Sequence, residues 1–290
     1  MQERIDSFLK YLQTEKQYSV NTTSAYRNDL AQFLNFVQVT SWEQIEHNIL
    51  VNYVEYLKGH QYASSTVARK VAAVKSFFHF MVDTGLLQDD PTATLDSPKV
   101  KKRMPKILSP QEIESLLNEP TQLSNPKSLR DKAFLELLYA SGMRVSELVS
   151  LSVQDVDLEH DAIYCASKSN QNRKLPLSDR VKHALILYLE KGRPVLTRNN
   201  EENALFLNHR GRRLTRQGLW LIIKNHVKAV GLETDVTPHT LRHSFATHML
   251  REGTDLQTIQ KWLGHANIST TQIYTQMNQA EEDKAHAGVN

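Results

Sequence analysis

Apolar residues recur along the first third of the chain with the spacing of amphipathic helices. Ile5, Phe8, Leu9 and Leu12 follow the i, i+3, i+4, i+7 pattern, which predicts a helix over Gln2–Gln13. Asn21 is a favourable cap for a second helix carrying Tyr26, Leu30, Phe33, Leu34 and Phe36. A third is predicted over His47–Lys58. A fourth follows the Ser64-Ser65-Thr66 cap, carries Val67, Val71, Val74, Phe77, Phe78 and Met81, and stops at Gly85. No alternating strand pattern competes, so residues 1–97 are expected to form a four-helix domain.

Pro91, Pro98 and Pro105 then punctuate a linker placed at 98–108, and a second domain is expected over 109–290. Ser109-Pro-Gln-Glu112 has the form of a capping box with proline at the first helical position. A helix is predicted over Lys127–Ala140. Gly142 interrupts it, and a short helix with Val145, Leu148 and Val149 follows. Between 153 and 177 the pattern changes. Val156, Leu158, Ile163 and Tyr164 lie among turn formers, and Lys174-Leu-Pro-Leu177 closes the stretch. This predicts a small antiparallel sheet with a polar turn at Ser167–Asn172. Further helices are predicted near Ser178–Lys191, Thr215–Val230, Pro238–Arg251, Asp255–Leu263 and Ser269–Gln276. The fold class is thus mainly α, with a small antiparallel sheet in the C-terminal domain.

Composition narrows the function classes. No apolar run approaches the ~20 residues that span a bilayer, and the first residues lack the apolar core of a signal peptide. A cytoplasmic protein with no membrane insertion is expected. The single Cys165 excludes an intramolecular disulfide and a Cys-rich zinc site. Charge is uneven. Residues 1–98 hold 8 Lys/Arg against 11 Asp/Glu, whereas the remaining 27 Lys/Arg face 21 Asp/Glu. The densest basic stretch, Lys99–Lys106, suits either a solvated linker or a strap over a phosphate backbone.

Three short stretches carry candidate chemistry. In Thr237-Pro-His-Thr-Leu-Arg-His-Ser-Phe-Ala-Thr-His248, His239 and Arg242 share a face at a helix N-terminus, which favours an anion. A rival takes His239, His243 and His248 as metal ligands. It lacks a carboxylate or thiolate partner, and the adjacent Arg242 would repel a cation. In Leu263-Gly-His-Ala-Asn-Ile-Ser-Thr-Thr-Gln-Ile-Tyr-Thr275, His265 sits on a turn and Tyr274 on the next short helix. Taken singly, such a tyrosine is ordinarily a packing residue. In Ala140-Ser-Gly-Met-Arg-Val-Ser-Glu-Leu148, Arg144 opens a helix whose dipole disfavours it, a local conflict that points to function.

Together, Ser-Gly-Met-Arg-Val-Ser-Glu-Leu, Pro-His-Thr-Leu-Arg-His-Ser-Phe-Ala-Thr-His and Leu-Gly-His…Tyr resemble the tyrosine recombinase (phage integrase) family over nearly the whole chain. The stretch Asn21–Leu30 looks like the family's helical, SAM-like core-binding domain, and the two-domain layout is most similar to the Xer-type site-specific recombinases.

The resemblance implies a DNA clamp that cleaves and rejoins DNA through a 3′-phosphotyrosine, with neither cofactor nor metal. Tyr274 is then the nucleophile. Arg144 and Arg242 clamp the nonbridging oxygens, His239 assists proton transfer, and His265 supports the transition state. The family's turn lysine falls on Lys168, flanked here by serines in place of glycines, with Arg173 and Lys174 as competitors on the same hairpin. Glu147 is implied to buttress Arg144.

Arg27, Arg69, Lys70, Lys102, Arg103, Arg212, Arg213 and Arg216 are expected on the DNA. The implied partners are a double-stranded recombination site, a homotetramer or a heterotetramer with a paralogous recombinase, and a septal DNA translocase. The implied role is resolving chromosome or plasmid dimers. A mobile-element integrase, a type IB topoisomerase-like strand transferase and a catalytically silent DNA-binding protein stand as alternatives.

Overall fold

The computed structural model describes residues 1–97, 106–122, 125–165, 173–197, 202–232 and 236–264, and falls into two units, Met1–Arg103 and Met104–Asn290. In the first unit the apolar spacing does what it predicts. Helix α1 (Gln2–Thr14) buries Ile5, Phe8, Leu9 and Leu12. Helices α2 (Val20–Phe36), α3 (His47–Gly59) and α4 (Ser64–Asp83) close over the same core.

Two caps differ from expectation. Ser19 caps α2, its extended backbone letting Oγ accept the Thr22 N–H at 3.2 Å, so Asn21 falls inside the first turn. Helix α4 starts at Ala63 without a side-chain cap, which places Ser64, Ser65 and Thr66 within the helix. Trp42, on a turn between α2 and α3, is buried and donates from Nε1 to the Met1 carbonyl at 3.2 Å. Asp29 of α2 is 1% exposed and bonds Arg69 and, at 3.0 Å, Lys70 Nζ of α4. A buried carboxylate this dry is tolerable only because cations meet it.

The second unit opens with α5 (Pro110–Asn118), whose capping box forms as expected: Glu112 N–H donates to Ser109 Oγ at 3.2 Å and Ser109 N–H to Glu112 Oε2 at 2.7 Å. Just before it, Leu108 is buried and its N–H donates to Ser244 Oγ at 2.9 Å, so the end of the predicted linker packs with this unit. Helix α6 (Pro126–Ser141) is the central element. It buries Ala133, Phe134, Leu135, Leu137 and Leu138, and its buried Glu136 is met by Lys132 at 2.7 Å and Arg180 at 2.5 Å.

After α7 (Val145–Ser150) come β1 (Val156–Asp157), β2 (Ala162–Cys165) and β3 (Arg173–Pro176). They form an antiparallel sheet in the order β1-β2-β3, with Cys165 opposite Arg173. The polar turn predicted at Ser167–Asn172 lies outside the described residues.

The helix predicted over Ser178–Lys191 is three pieces. Helix α8 (Asp179–Leu187) passes into a π turn (Tyr188–Gly192) and then α9 (Arg193–Thr197). Arg193 N–H reaches back to the Tyr188 carbonyl, and the next residue, Pro194, has no N–H to give. Helices α10 (Arg216–Ala229), α11 (Pro238–Arg251) and α12 (Leu256–Leu263) follow. The helix predicted over Ser269–Gln276 is outside the described residues. No described helix is long and apolar enough to cross a membrane.

His226 of α10 is wedged between two carboxylates. Its Nδ1 meets Glu119 and its Nε2 meets Asp131 at 3.1 Å. Burial alone would lower its pKa, but the Asp131 hydrogen bond and the charges of both acids outweigh it, and the net direction is up. A raised folded-state pKa makes the contribution of His226 largest below the unfolded value near 6.5 and removes it as pH rises through the folded value. His226→Gln should therefore lower Tm by about 3–8 °C near pH 6, and this gap from wild type should narrow by pH 9. Thermal unfolding followed by circular dichroism checks it. A gap that widens with pH would show that the imidazolium is not what holds this corner.

Candidate active site

Two glycines shape the ground on which the site stands. Helix α6 ends at Gly142 (φ 56°) and α12 at Gly264 (φ 63°), both left-handed, a conformation that costs a side chain little only when there is none. A Cβ on Gly142 would press into Phe245 and come within 2.8 Å of Leu263. The α6–α7 corner, α11 and the end of α12 thus pack on one another without a gap.

Arg242 rises from α11 into this junction and is only 4% exposed. Its Nη1 donates to the Gly142 carbonyl and its Nη2 to the Leu263 carbonyl at 2.7 Å. These carbonyls lie at the C-terminal ends of two helices, where no helical N–H can reach them and partial negative charge collects. One buried guanidinium therefore satisfies two helix ends and fixes its own plane.

Arg144 caps α7, a position whose dipole opposes a cation. Glu147 resolves the conflict that the sequence displays. Its Oε2 accepts the Arg144 N–H at 2.8 Å, and its Oε1 accepts Arg144 Nη1 at 2.9 Å. Arg144 Nη2 donates to the Gly264 carbonyl at 3.0 Å. The side chain is 40% exposed and faces a cleft of about 710 Å³, which Arg242, Arg216, Trp220, Pro238 and His239 also line.

His239 stands in the first turn of α11, which starts from a Thr237 cap accepting the Thr240 N–H at 3.2 Å. Its pKa is lowered, first by partial burial and then by the charges of Arg242, Arg216 and Arg144. His243, one turn on with ring centroids 6.5 Å apart, is pushed down to about 4 by burial, His239 and Arg242. Both imidazoles are neutral near pH 7, so His239 can donate one hydrogen bond and still accept a proton. Among the described residues no three His, Cys, Asp or Glu side chains converge as a metal site would require.

The structure brings Arg144, His239 and Arg242 to one cleft and adds Arg216 from the residues expected on DNA. Lys168, His265, Tyr274, Lys102 and Arg103 lie outside the described residues. The other basic residues expected on DNA divide. Arg27 and Arg212 are exposed, Arg27 pairing with Asp6 at 2.7 Å. Arg69 is exposed but bonds Asp29. Lys70 is buried against Asp29 with its ammonium 5.3 Å from the Tyr62 ring centre, so it braces α2 to α4. Arg213 donates to the carbonyls of Val149, Ser150 and Leu151 at 3.0, 2.6 and 2.9 Å, and so caps the end of α7.

Trp220 in the cleft wall was not anticipated. Its signal was a tryptophan one helical turn after Arg216 and one before Lys224, whose ammonium lies 5.1 Å from the ring centre.

Residues 106–281 match the model of the Phage integrase family, and residues 5–85 match that of the Phage integrase N-terminal SAM-like domain. A Tyrosine recombinase XerC of Roseiflexus sp. (strain RS-1) is 48% identical over 285 residues, covering 97% of this chain and 91% of the relative. A Tyrosine recombinase XerD of Oceanobacillus iheyensis is 40% identical over 281 residues, covering 95% of this chain and 94% of the relative. Among solved structures, a XerH site-specific recombinase bound to palindromic difH substrate in a post-cleavage complex superposes with a TM-score of 0.78. It is 22% identical, with 98% of this chain and 84% of that one covered.

The two carbonyl bonds of Arg242 generate a stability prediction. Lysine keeps the charge but cannot span both acceptors in a fixed plane. Arg242→Lys should cost about 1.5–3 kcal/mol, or about 3–10 °C in Tm. Calorimetry on the purified variant checks it, and an unchanged Tm would mean that these helix ends do not depend on the guanidinium.

Proposed function

Since the chain belongs to the phage integrase family and is a site-specific tyrosine recombinase, we infer that its cleft binds the scissile phosphate and that Tyr274 attacks it. The carrying observation is the convergence of Arg144, Arg242, Arg216 and His239 on one cleft. A phosphodiester gathers negative charge as its phosphorus becomes five-coordinate. Guanidinium groups already fixed by protein bonds stabilise that charge without reorganising. Arg144 and Arg242 take the nonbridging oxygens, and His239 hydrogen-bonds the phosphate and handles the nucleophile's proton. His265, next in the chain after Gly264, supports the same transition state.

The Tyr274 oxygen bonds to phosphorus and gives up its proton, while the bond to the 5′ oxygen breaks and that oxygen leaves as a hydroxyl. Lys168 supplies the departing proton. The products are a 3′-phosphotyrosine and a free 5′-hydroxyl. Attack by a 5′-hydroxyl on the phosphotyrosine reverses the steps and rejoins the strand. One ester is exchanged for another, so no nucleotide need be consumed.

The substrate is a double-stranded recombination site, held by a tetramer of this chain or of this chain with a paralogous recombinase. The biological task is resolution of chromosome or plasmid dimers in the cytoplasm, with a septal DNA translocase as a further partner. Relatives named XerC and XerD, at 48% and 40% identity, favour this task over that of a mobile-element integrase.

Tyr274→Phe should retain DNA binding and form no covalent adduct on a nicked substrate; an adduct with the Phe variant would move the nucleophile elsewhere. Lys168→Ala should cleave ordinary DNA about 10²–10⁴-fold more slowly. It should regain speed when sulfur replaces the bridging 5′ oxygen, because a thiolate leaves without a proton. Rescue of Lys174→Ala instead would shift the acid along the hairpin.

A further inference from the structure

Glu147 serves two guanidinium groups at once. While its Oε1 accepts from Arg144, its Oε2 accepts Arg173 Nη2 at 3.1 Å. Burial would raise the Glu147 pKa, but the Arg144 N–H and the charges of Arg173 and Arg144 outweigh it and hold the carboxyl below its usual range. The group is therefore an anion in a largely dry place. The two arginines around it are not equivalent. Arg144 is 40% exposed toward the cleft, whereas Arg173 is 14% exposed and Glu147 12%. Arg173 is also absent from the cleft lining.

This asymmetry has an electrostatic consequence. A lone carboxylate bonded to Arg144 would offset the positive charge that Arg144 must offer to a phosphate. A second guanidinium on the far side of that carboxylate offsets the carboxylate instead. The trio keeps one net positive charge, and the exposed member of the trio is the one facing the cleft. The two arginines also meet the same glycine. Arg144 donates to the Gly264 carbonyl, and the Arg173 guanidinium occupies the space that a Cβ on Gly264 would need. Arg173 itself is fixed at the start of β3, paired with Cys165 of β2.

We propose that Arg173 is a positioning residue for strand transfer: from β3 it holds Glu147 so that the carboxylate orients Arg144 without neutralising it, and it does so without touching DNA. Arg173 is thereby separated from the role of leaving-group acid for which it competed with Lys168. The Arg173 guanidinium is held by Glu147 and does not line the cleft from which a leaving group would depart. The proposal rests on the reading of Arg144 as a phosphate-binding group.

Its test is single-turnover adduct formation by the full chain on two nicked substrates. One has an ordinary scissile phosphate. The other has a methylphosphonate there, in which a methyl group replaces one nonbridging oxygen and removes its charge. On the phosphate, Arg173→Gln should slow adduct formation about 10²–10³-fold, as loss of a fixed charge donor does, while Kd for DNA changes less than about 3-fold. On the methylphosphonate the same variant should lose under about 10-fold, because less charge has to be met.

Arg173→Gln combined with Glu147→Gln should be faster on the phosphate than Arg173→Gln alone, since the uncompensated carboxylate is gone. Should Arg173→Gln not fold, Arg173→Lys carries the same comparison, and its smaller defect should also shrink on the methylphosphonate. Equal defects on both substrates, a double variant no faster than the single one, or a Kd change as large as the rate change would each overturn the proposal. Arg144→Ala is the control for the underlying site. If its defect does not shrink on the methylphosphonate, the phosphate-binding role of Arg144 fails, whatever Arg173 does.

Discussion

The site depends on one buried guanidinium. Arg242 lies where two helices end, and it takes the carbonyls that those ends leave without partners. Burying a charge is costly unless its hydrogen bonds are made inside the protein. Here the acceptors are backbone, so they cannot be lost by a change of rotamer. The close approach of α6, α11 and α12 depends in turn on Gly142, since any side chain there would meet Phe245 and Leu263. The fold thus makes a closely packed junction at the cleft. Arg242 belongs both to that junction and to the cleft wall, so stability and the proposed chemistry share a residue.

Burial and this concentration of cations together set the state of the histidines. Burial first, then Arg242, Arg216 and Arg144, lowers the His239 pKa, and burial with His239 and Arg242 pushes His243 down to about 4. Without an anion, the cleft favours neutral imidazole. A phosphate entering it would offset part of that positive field and raise the His239 pKa again, because an opposite charge nearby favours the protonated form. In the proposed reaction, arrival of a phosphate and the readiness of His239 to take the nucleophile's proton are therefore coupled.

Much of this was legible in the chain because it rests on local rules. The α1 face of Ile5, Phe8, Leu9 and Leu12 follows from helical periodicity alone. The Ser109–Glu112 capping box needs only the residues it joins. The convergence of His239 and Arg242 follows from their spacing on α11, and the oddity of Arg144 at a helix start was visible as a conflict that Glu147 resolves. What stayed hidden required distant partners. No local pattern distinguishes Lys70, buried against Asp29, from Arg69 beside it, which bonds the same carboxylate yet stays exposed. Arg213 reads as one more cation until the turn that carries it reaches the end of α7, 62 residues away along the chain at Leu151. The π turn before Pro194 lies beside a missing N–H, but the tight space around Gly192, where a side chain would meet Tyr188, Leu129 and Pro126, involves residues far along the chain.

Strand exchange adds a requirement that this arrangement meets. When one phosphodiester is replaced by another, the ground states before and after lie close in energy, and a site that merely bound DNA tightly would slow both directions. Catalysis needs interactions that strengthen as charge develops. Arginines whose planes are set by bonds to protein groups answer that need better than arginines that must be ordered by the substrate. Arg242 is set by Gly142 and Leu263, and Arg144 by Glu147 and Gly264. The cost of ordering them has been met in folding, so in the proposed reaction their favourable contacts remain available to the pentacoordinate phosphorus. The acceptors that hold them carry either no full charge, as carbonyls, or a charge already shared with Arg173. For that reason the same bonds that make the cleft rigid leave it positive.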